Sequence, residues 1–187
     1  MVSNRTGCLM ICTNMAISDD NTCKDSLDEG NLQRLIRSAF AVEPRPTLEN
    51  TKKNGADGLE IWDLFRGHSW EDLPYEKISI CSDWISGLAP TDLVYFLPRY
   101  LLEGLRAAVS DDHGLAGELL GSTLCELKWA VEEREKIGRT KRISGLTAQQ
   151  IEAVAEWLKF IAANDHDCLD REEAREILDA DLFRHLT

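Results

Sequence analysis

The sequence has 187 residues, a length typical of one domain with a substantial core. Hydrophobic residues make up 43% and charged residues 29%, a balance that excludes global disorder. The formal net charge of -12 disfavours nucleic-acid binding, because phosphates would meet a repulsive field, and it favours a basic partner instead.

The first 25 residues lack a sustained hydrophobic period. We therefore expect residues 1–25 to form a disordered tail ahead of a helical domain at residues 26–187. The apolar run from Cys8 to Cys12 is shorter than the roughly 7 to 15 residues of a secretory signal, which predicts a cytoplasmic protein. Met1, Met10 and Met15 are all candidate translation starts.

Cysteine is scattered along the chain, at Cys8, Cys12, Cys23, Cys81, Cys125 and Cys168. No pair has the C-x-x-C spacing of zinc or redox sites. The last three lie singly in or beside helical patterns, where a free thiol behaves as a small apolar side chain. This distribution favours a reducing compartment.

Helical periodicity begins near Ser26 or Asp28 and ends before Pro44. Residues 47–58 are rich in Asn, Lys, Gly and Asp, which predicts a surface loop. Four large apolar side chains follow, Ile61, Trp62, Leu64 and Phe65. Their spacing favours a short helix closed by Gly67, although a strand also fits it.

The stretch from Thr91 to Val109 is apolar on nearly every side. Its charged residues exclude a membrane span; they are Asp92, Arg99, Glu103 and Arg106. We predict a buried central helix that is capped by Thr91 and kinked at Pro98, where the carbonyl of Val94 loses its usual donor. A shorter helix, Tyr75–Ser86, is predicted before it.

Two longer helices are predicted after the central one. Apolar stripes indicate helices at Leu115–Glu135 and Ala148–Ala163. Thr147 and Gln150 form a capping-box pattern at the start of the second helix.

Asp170 and Glu173 resemble a capping pattern for a final helix that continues through His185. No segment shows the alternating pattern of a strand between these helices. The sequence therefore predicts an all-α fold, a single-domain irregular helical bundle of six or seven helices around a central Pro-kinked helix.

Four short motifs lie along these predicted helices and the turns between them. They are Gly58-Leu59-Glu60, Trp70-Glu71-Asp72-Leu73-Pro74, Tyr95-Phe96-Leu97-Pro98-Arg99-Tyr100-Leu101-Leu102 and Leu146-Thr147-Ala148-Gln149-Gln150. They resemble the W-x-x-L-P, YFLPxYLL and LTxxQ elements of an uncharacterised bacterial family of all-helical domains. The resemblance covers residues 30–187 and implies a fold but no activity. Arg99 departs from the family motif, which often has a small residue there.

The chain carries no G-x-S-x-G motif, P-loop or Rossmann glycine signature. Two loops, Asp111-Asp112-His113 and Asp165-His166-Asp167, combine carboxylates with imidazole and could converge on a divalent ion. A metal-dependent hydrolase using these loops is the alternative function. Because both loops break helices, where Asp and His are common, we predict no metal and no other cofactor.

Arg99 lies within the predicted core helix, where an unpaired cation is costly to bury. We hypothesise an ion pair from Arg99 to Glu71, Asp72 or Glu103, with Trp70 packed beside it. The other interpretation is that Arg99 extends to the solvent.

Two stretches concentrate charge. Basic residues form a connector at Arg134, Lys136, Arg139, Lys141 and Arg142. Because no aromatic residues are interleaved with these basic residues, the pattern favours a solvated connector over a nucleic-acid-binding site. The heavier stretch is acidic, and its candidates for partner binding are Asp165, Asp167, Asp170, Glu172, Glu173 and Glu176. We call these six residues the acidic surface.

An acidic surface of this kind attracts a basic partner at long range. The sequence therefore predicts a non-enzymatic protein that binds another protein, as an immunity-type or adaptor protein for a basic partner such as a toxin. The alternative is an ordinary solvated helix face. The oligomeric state stays open.

Overall fold

The computed structural model describes residues 28–41, 45–80, 83–110, 114–135, 142–143, 145–165, 167–180 and 183. The predicted tail, residues 1–25, lies outside this part of the chain. The described residues are helical and contain no strand, so the predicted all-α fold is confirmed.

Nine helices form within the described residues. In chain order they are α1 (Glu29–Ala39), α2 (Glu49–Lys52), α3 (Gly55–Phe65), α4 (Tyr75–Ile78), α5 (Trp84–Gly87), α6 (Pro90–Val109), α7 (Leu115–Glu135), α8 (Ala148–Asn164) and α9 (Cys168–Leu178). Helices α2, α4 and α5 have four residues each. The six longer helices each overlap a segment where an apolar stripe predicts a helix.

Helix α6 lies at the centre of the bundle. Fourteen of its 20 residues are buried, which requires neighbours on several sides, and it contacts α1, α7 and α8. The predicted cap is wrong: Ala89 precedes the first turn and Pro90 begins it, while Thr91 lies inside the helix. Proline suits this position because it has no amide hydrogen to leave unpaired. Pro98 lies inside α6, and a kink there stays a prediction.

The packing of α8 on α6 depends on a large residue facing a small one. Trp157 is fully buried and its indole nitrogen donates to the Leu101 carbonyl oxygen at 2.8 Å. A Cβ atom on Gly104 would lie 2.7 Å from the Trp157 ring, so the glycine makes room for the indole. The capping box predicted at Thr147 and Gln150 is present, with hydrogen bonds of 3.3 and 2.9 Å.

The predicted loop at residues 47–58 is wrong, because α2 and the first turn of α3 lie within it. Leu48 enters α2 with a positive φ of 62°, and its side chain is buried. Thr51 is also buried, and its hydroxyl donates to Asp92 at 2.5 Å and accepts from the amide of Ala89 at 2.9 Å. These long-range hydrogen bonds attach α2 to the start of α6.

The single helix predicted at Tyr75–Ser86 is instead two one-turn helices, α4 and α5. Pro74 caps the first of these turns, and Ile78 and Ile85 are buried. A turn of four residues gains little from helical hydrogen bonds, so burial of its apolar residues holds it in place.

The final helix begins earlier than the capping pattern at Asp170 and Glu173 predicts. The N-cap of α9 is Asp167, whose carboxylate accepts from the amide of Leu169 at 2.8 Å. Helix α9 ends at Leu178. The predicted continuation through His185 lies largely outside the described residues, within which Phe183 is fully buried.

Among the described residues, no helix is both long enough and apolar enough to cross a membrane. Helix α6 has the length, but its charged residues lower its hydropathy, as its sequence predicts.

Candidate functional site

The junction between α8 and α9 places several carboxylates close together. Asp165 ends α8, is buried, and accepts from the amide of Asp167 at 2.6 Å. Asp167 in turn caps α9. Because a helix N-terminus carries partial positive charge, aspartate is favoured at these positions, and the local fold fixes both carboxylates in place.

A cleft of about 610 Å³ opens beside this junction. Its lining includes Ala107 of α6, Gly117 and Glu118 of α7, and Asp165, Asp167 and Asp170. Nothing would lie within 4 Å of a Cβ atom on Gly117, so the α7 wall is open there. Among the described residues that line this acidic cleft, four are acids and none is basic.

Asp170 is the carboxylate most affected by these surroundings. Burial, and then the neighbouring charges of Asp165, Asp167 and Glu173, raise the pKa of Asp170 from 3.8 to about 6. A raised pKa means that the surroundings disfavour the ionised form. A cation or a basic side chain in the acidic cleft would relieve this repulsion.

The outer part of the acidic surface is partly neutralised within the chain. Lys128 of α7 lies 2.7 Å from Glu176 and 3.6 Å from Glu173. The hydrogen bond to Glu176 is the main cause that raises the pKa of Lys128. Glu172 is exposed.

The six residues of the acidic surface therefore differ in their surroundings. Asp165 is buried and Asp167 caps a helix, while Glu173 and Glu176 share a lysine. The structure adds Glu118, which the sequence did not single out because it comes from a distant segment of the chain.

Arg99, the other residue of interest in the sequence, pairs with Glu103 on the next turn of α6, at 2.9 Å. Its side chain is 18% exposed and that of Glu103 is 8% exposed. Arg106 lies 3.7 Å from the second oxygen of Glu103. The spacing of four residues places the two charges of the main pair on one side of the helix.

The other two carboxylates considered for Arg99 have different neighbours. Glu71 lies 3.5 Å from Arg37, and Asp72 accepts from the amide of Ser69 at 2.5 Å. Both acids are more than half exposed, on a surface turn. The pairing of Arg99 with Glu71 or Asp72 is therefore wrong, because the carboxylate within its own helix is nearer and buried.

Trp70 also packs differently from the prediction. It is buried, its indole nitrogen donates to the Phe40 carbonyl oxygen at 3.1 Å, and Arg37 lies 6.0 Å from its ring centre. Trp70 thus joins its turn to the end of α1.

A second concave feature runs along α7, and the sequence reasoning missed it. This α7 groove has a volume of about 410 Å³ and is lined by residues that include Asp83, Ile85, Gly121, Cys125, Glu126 and Trp129. Trp129 is 54% exposed, whereas most of the large apolar residues of α7 are buried. Its position outside the apolar stripe of α7 is the signal that could have identified it.

Cys125 lies in the α7 groove as a free thiol. Burial, and then the charges of Glu173 and Glu126, raise the pKa of Cys125. The thiol therefore stays protonated at neutral pH and is a poor nucleophile.

Of the basic connector, Arg142 is described, and it does not face open solvent. Its guanidinium pairs with Glu126, which is buried, and donates to the Ile85 carbonyl oxygen at 3.1 Å. Arg142 thus joins α7 to α5. The side chain of Arg134 and residues Lys136, Arg139 and Lys141 lie outside what the structure describes.

The described residues contain no group of three His, Cys, Asp or Glu side chains that could hold a metal ion. The Asp111-Asp112-His113 loop and His166 lie outside those residues. Asp165 and Asp167 are the described members of the two loops. The metal-dependent hydrolase therefore stays a prediction.

Comparison with known proteins identifies the family. Residues 28–179 match the model of a family of unknown function, DUF6714. No curated protein and no solved structure matches this chain. Because the match covers most of the chain, the protein belongs to this family, which agrees with the resemblance to an uncharacterised family of helical domains.

Proposed function

We propose that this protein binds a basic partner protein through its acidic surface and catalyses no reaction. The observation that carries the proposal is the acidic cleft, which four carboxylates line and whose described lining residues include no basic residue. The raised pKa of Asp170 supports it, because no cation among the described residues offsets the burial and the acids that raise this pKa. A lysine or arginine of a partner would supply one.

The role we propose is that of an immunity-type or adaptor protein, whose partner could be a basic toxin. Binding of this kind requires a fixed, complementary surface rather than a reactive group. Asp165 and Asp167 are fixed by backbone hydrogen bonds, so they lose little freedom when a partner binds. We further propose a bacterial cytoplasm as the compartment, where the free thiols of Cys125 and Cys168 stay reduced.

The test is capture of the partner from the native cell at low and at high salt. Three substitutions remove charge while keeping side-chain shape and the helix cap: Asp167→Asn, Asp170→Asn and Glu172→Gln. The matched control removes the same charge from exposed acids on α2 and α3: Glu49→Gln, Asp57→Asn and Glu60→Gln.

We expect a partner that the wild-type protein and the control variant retain at low salt, and that high salt releases. The variant of the acidic surface should lose it. Equal retention by both variants would show that the acidic surface is not the binding site. Failure to retain any partner at low salt would contradict the proposed function itself.

Metal analysis of the purified protein distinguishes the metal-dependent hydrolase from the protein-binding function. Binding of a basic protein requires no stoichiometric metal, whereas the hydrolase requires one that His113→Ala or His166→Ala would remove. A stoichiometric metal lost in either variant would favour the hydrolase.

A further inference from the structure

The α7 groove offers a second contact for the partner, of a different chemical kind. Trp129 lines the groove, and 54% of its surface is exposed. A tryptophan buries more apolar area on binding than any other residue, and it is the residue type most enriched among binding hot spots.

The shape of the groove comes from a small residue. A Cβ atom on Gly121 would meet one side-chain atom, Oδ1 of Asp170, at 4.0 Å. The surface above Gly121 is therefore open, and Ile85 of α5 adds an apolar side chain to the lining of the groove. The groove can accept the stem of an extended side chain between the two helices.

The charges around the groove favour a cation. Asp83 lies on its α5 side and accepts a hydrogen bond from the hydroxyl of Ser122 at 3.2 Å. Glu126 lines the groove too, but Arg142 compensates its charge. Burial raises the pKa of Cys125 most, the charges of Glu173 and Glu126 raise it further, Lys128 lowers it, and Asp83 adds a smaller increase.

We propose that the α7 groove receives an arginine or lysine side chain of the basic partner, with its cation held between the ring of Trp129 and the carboxylate of Asp83. The face of an indole attracts a cation, and an acid beside it strengthens the attraction. This inference rests on the proposed function, and it adds a docking site and the chemistry that the site recognises.

A second copy of this chain is the competing occupant. A net charge of -12 opposes self-association through a groove whose surroundings are negative. The same charge attracts a basic chain. Charge complementarity therefore selects the basic partner over a homodimer.

The probe for the test is a tetra-arginine peptide with blocked ends, and tetra-glutamate is its control. Binding is followed by the indole NH resonances of the protein at low and high salt, with that of Trp129 assigned from Trp129→Phe. We expect tetra-arginine to shift the Trp129 resonance. Trp129→Ala should weaken its binding about fivefold, and Asp83→Asn should also weaken it.

Matched controls keep the result specific. Leu59→Ala shortens another half-exposed apolar side chain, on α3, and Asp57→Asn removes another exposed acid. Neither should change the affinity for tetra-arginine. Far-ultraviolet circular dichroism of Trp129→Ala, expected to match that of the wild-type protein, shows that lost binding is not lost folding.

The outcomes separate this inference from the proposed function. If the native partner is released by the acidic-surface variant but bound fully by Trp129→Ala, the groove inference is overturned and the proposed function stands. If neither the partner nor tetra-arginine binds at low salt, both fail. A dimer that Trp129→Ala dissociates would assign the groove to a second copy and overturn the inference.

Discussion

Glu103 in the bundle interior and Asp170 at the acidic cleft are carboxylates in two regions that compensate charge differently. The side chain of Glu103 is 8% exposed and lies 2.9 Å from Arg99 on the same helix. Asp170 is half-buried among other acids, which together with burial raise its pKa to about 6. The interior balances its charge within the chain, whereas the described lining of the cleft contains four acids and no basic residue. Unbalanced charge held in a fixed place is typical of a binding surface.

The two regions also use tryptophan differently. Trp157 is fully buried against α6, whereas Trp129 is 54% exposed on α7. We expect Trp157→Ala to lower the free energy of unfolding by about 4 kcal/mol, because it opens a large cavity and removes the hydrogen bond from the indole to the Leu101 carbonyl oxygen. Trp129→Ala should change it by less than about 0.5 kcal/mol. Urea unfolding of both variants measures the contrast, and equal losses would show that Trp129 is structural.

Removing the carboxylate that pairs with Arg99 in the interior should cause the next largest loss in unfolding free energy. Glu103→Ala leaves Arg99 inside α6 without its carboxylate, and we expect a loss of about 2 to 3 kcal/mol in unfolding free energy. Glu173→Gln is the counterpart on the acidic surface. Lys128 keeps its 2.7 Å contact with Glu176 in that variant, so the loss should stay below about 0.5 kcal/mol. A large loss for Glu173→Gln would show that the surface charges are also structural.

Replacing one glycine by alanine in each region should change the free energy of unfolding with opposite signs. Gly104→Ala places a methyl group 2.7 Å from the Trp157 ring and should cost about 2 kcal/mol, because the core is closely packed there. Gly117→Ala meets nothing within 4 Å and should stabilise α7 by about 0.5 to 1 kcal/mol through helix propensity. Thermal unfolding of the two variants distinguishes these signs. Destabilisation by Gly117→Ala would mean that the α7 wall of the cleft is not open.

The last effect depends on pH. The pKa of Asp170 is raised from 3.8 to about 6 in the folded protein, so the folded state binds this proton more tightly than the unfolded chain does. Stability contributed by this group therefore falls as the pH rises through that range, and the full penalty is present above it. Asp170→Asn removes the penalty. After allowance for solvent screening, it should stabilise the protein by about 1 kcal/mol near pH 8 and have no effect near pH 3.

Urea unfolding across this pH range measures the effect. Asp57→Asn, which removes an exposed acid from the first turn of α3, serves as the control. Lower stability of Asp170→Asn near pH 8 would show that attraction to the N-terminus of α9 outweighs the repulsion from the other acids.

Sequence patterns predicted the long helices well because their periodicity is local. The bounds of α7 agree with Leu115–Glu135, and the capping box at Thr147 is present as predicted. The segment at residues 47–58 could not be predicted in the same way. Helix α2 is held by a buried threonine that contacts Asp92 from 41 positions away, and a local pattern contains no trace of that contact.

The sequence predicted only part of the candidate site, because local patterns do not show contacts between distant segments. The acids of the junction are neighbours in the chain, but Glu118 enters the acidic cleft from α7 and was missed. The pairing of Arg99 with Glu103 follows from a spacing of four residues, which is a stronger guide than proximity to an acidic turn. Apolar periodicity did not identify Trp129, because this residue lies outside the apolar stripe of α7.

The hydrogen bond between the Thr51 hydroxyl and the Ala89 amide links the exchange rate of that amide to local opening of α2. The amide of Ala89 donates to that hydroxyl at 2.9 Å, so its hydrogen exchanges with solvent when α2 separates from the start of α6. The exchange rate of this one amide thus measures how often α2 opens locally without unfolding of the bundle. Comparing it with the amides of the α6 interior would give the free-energy gap between that local opening and global unfolding.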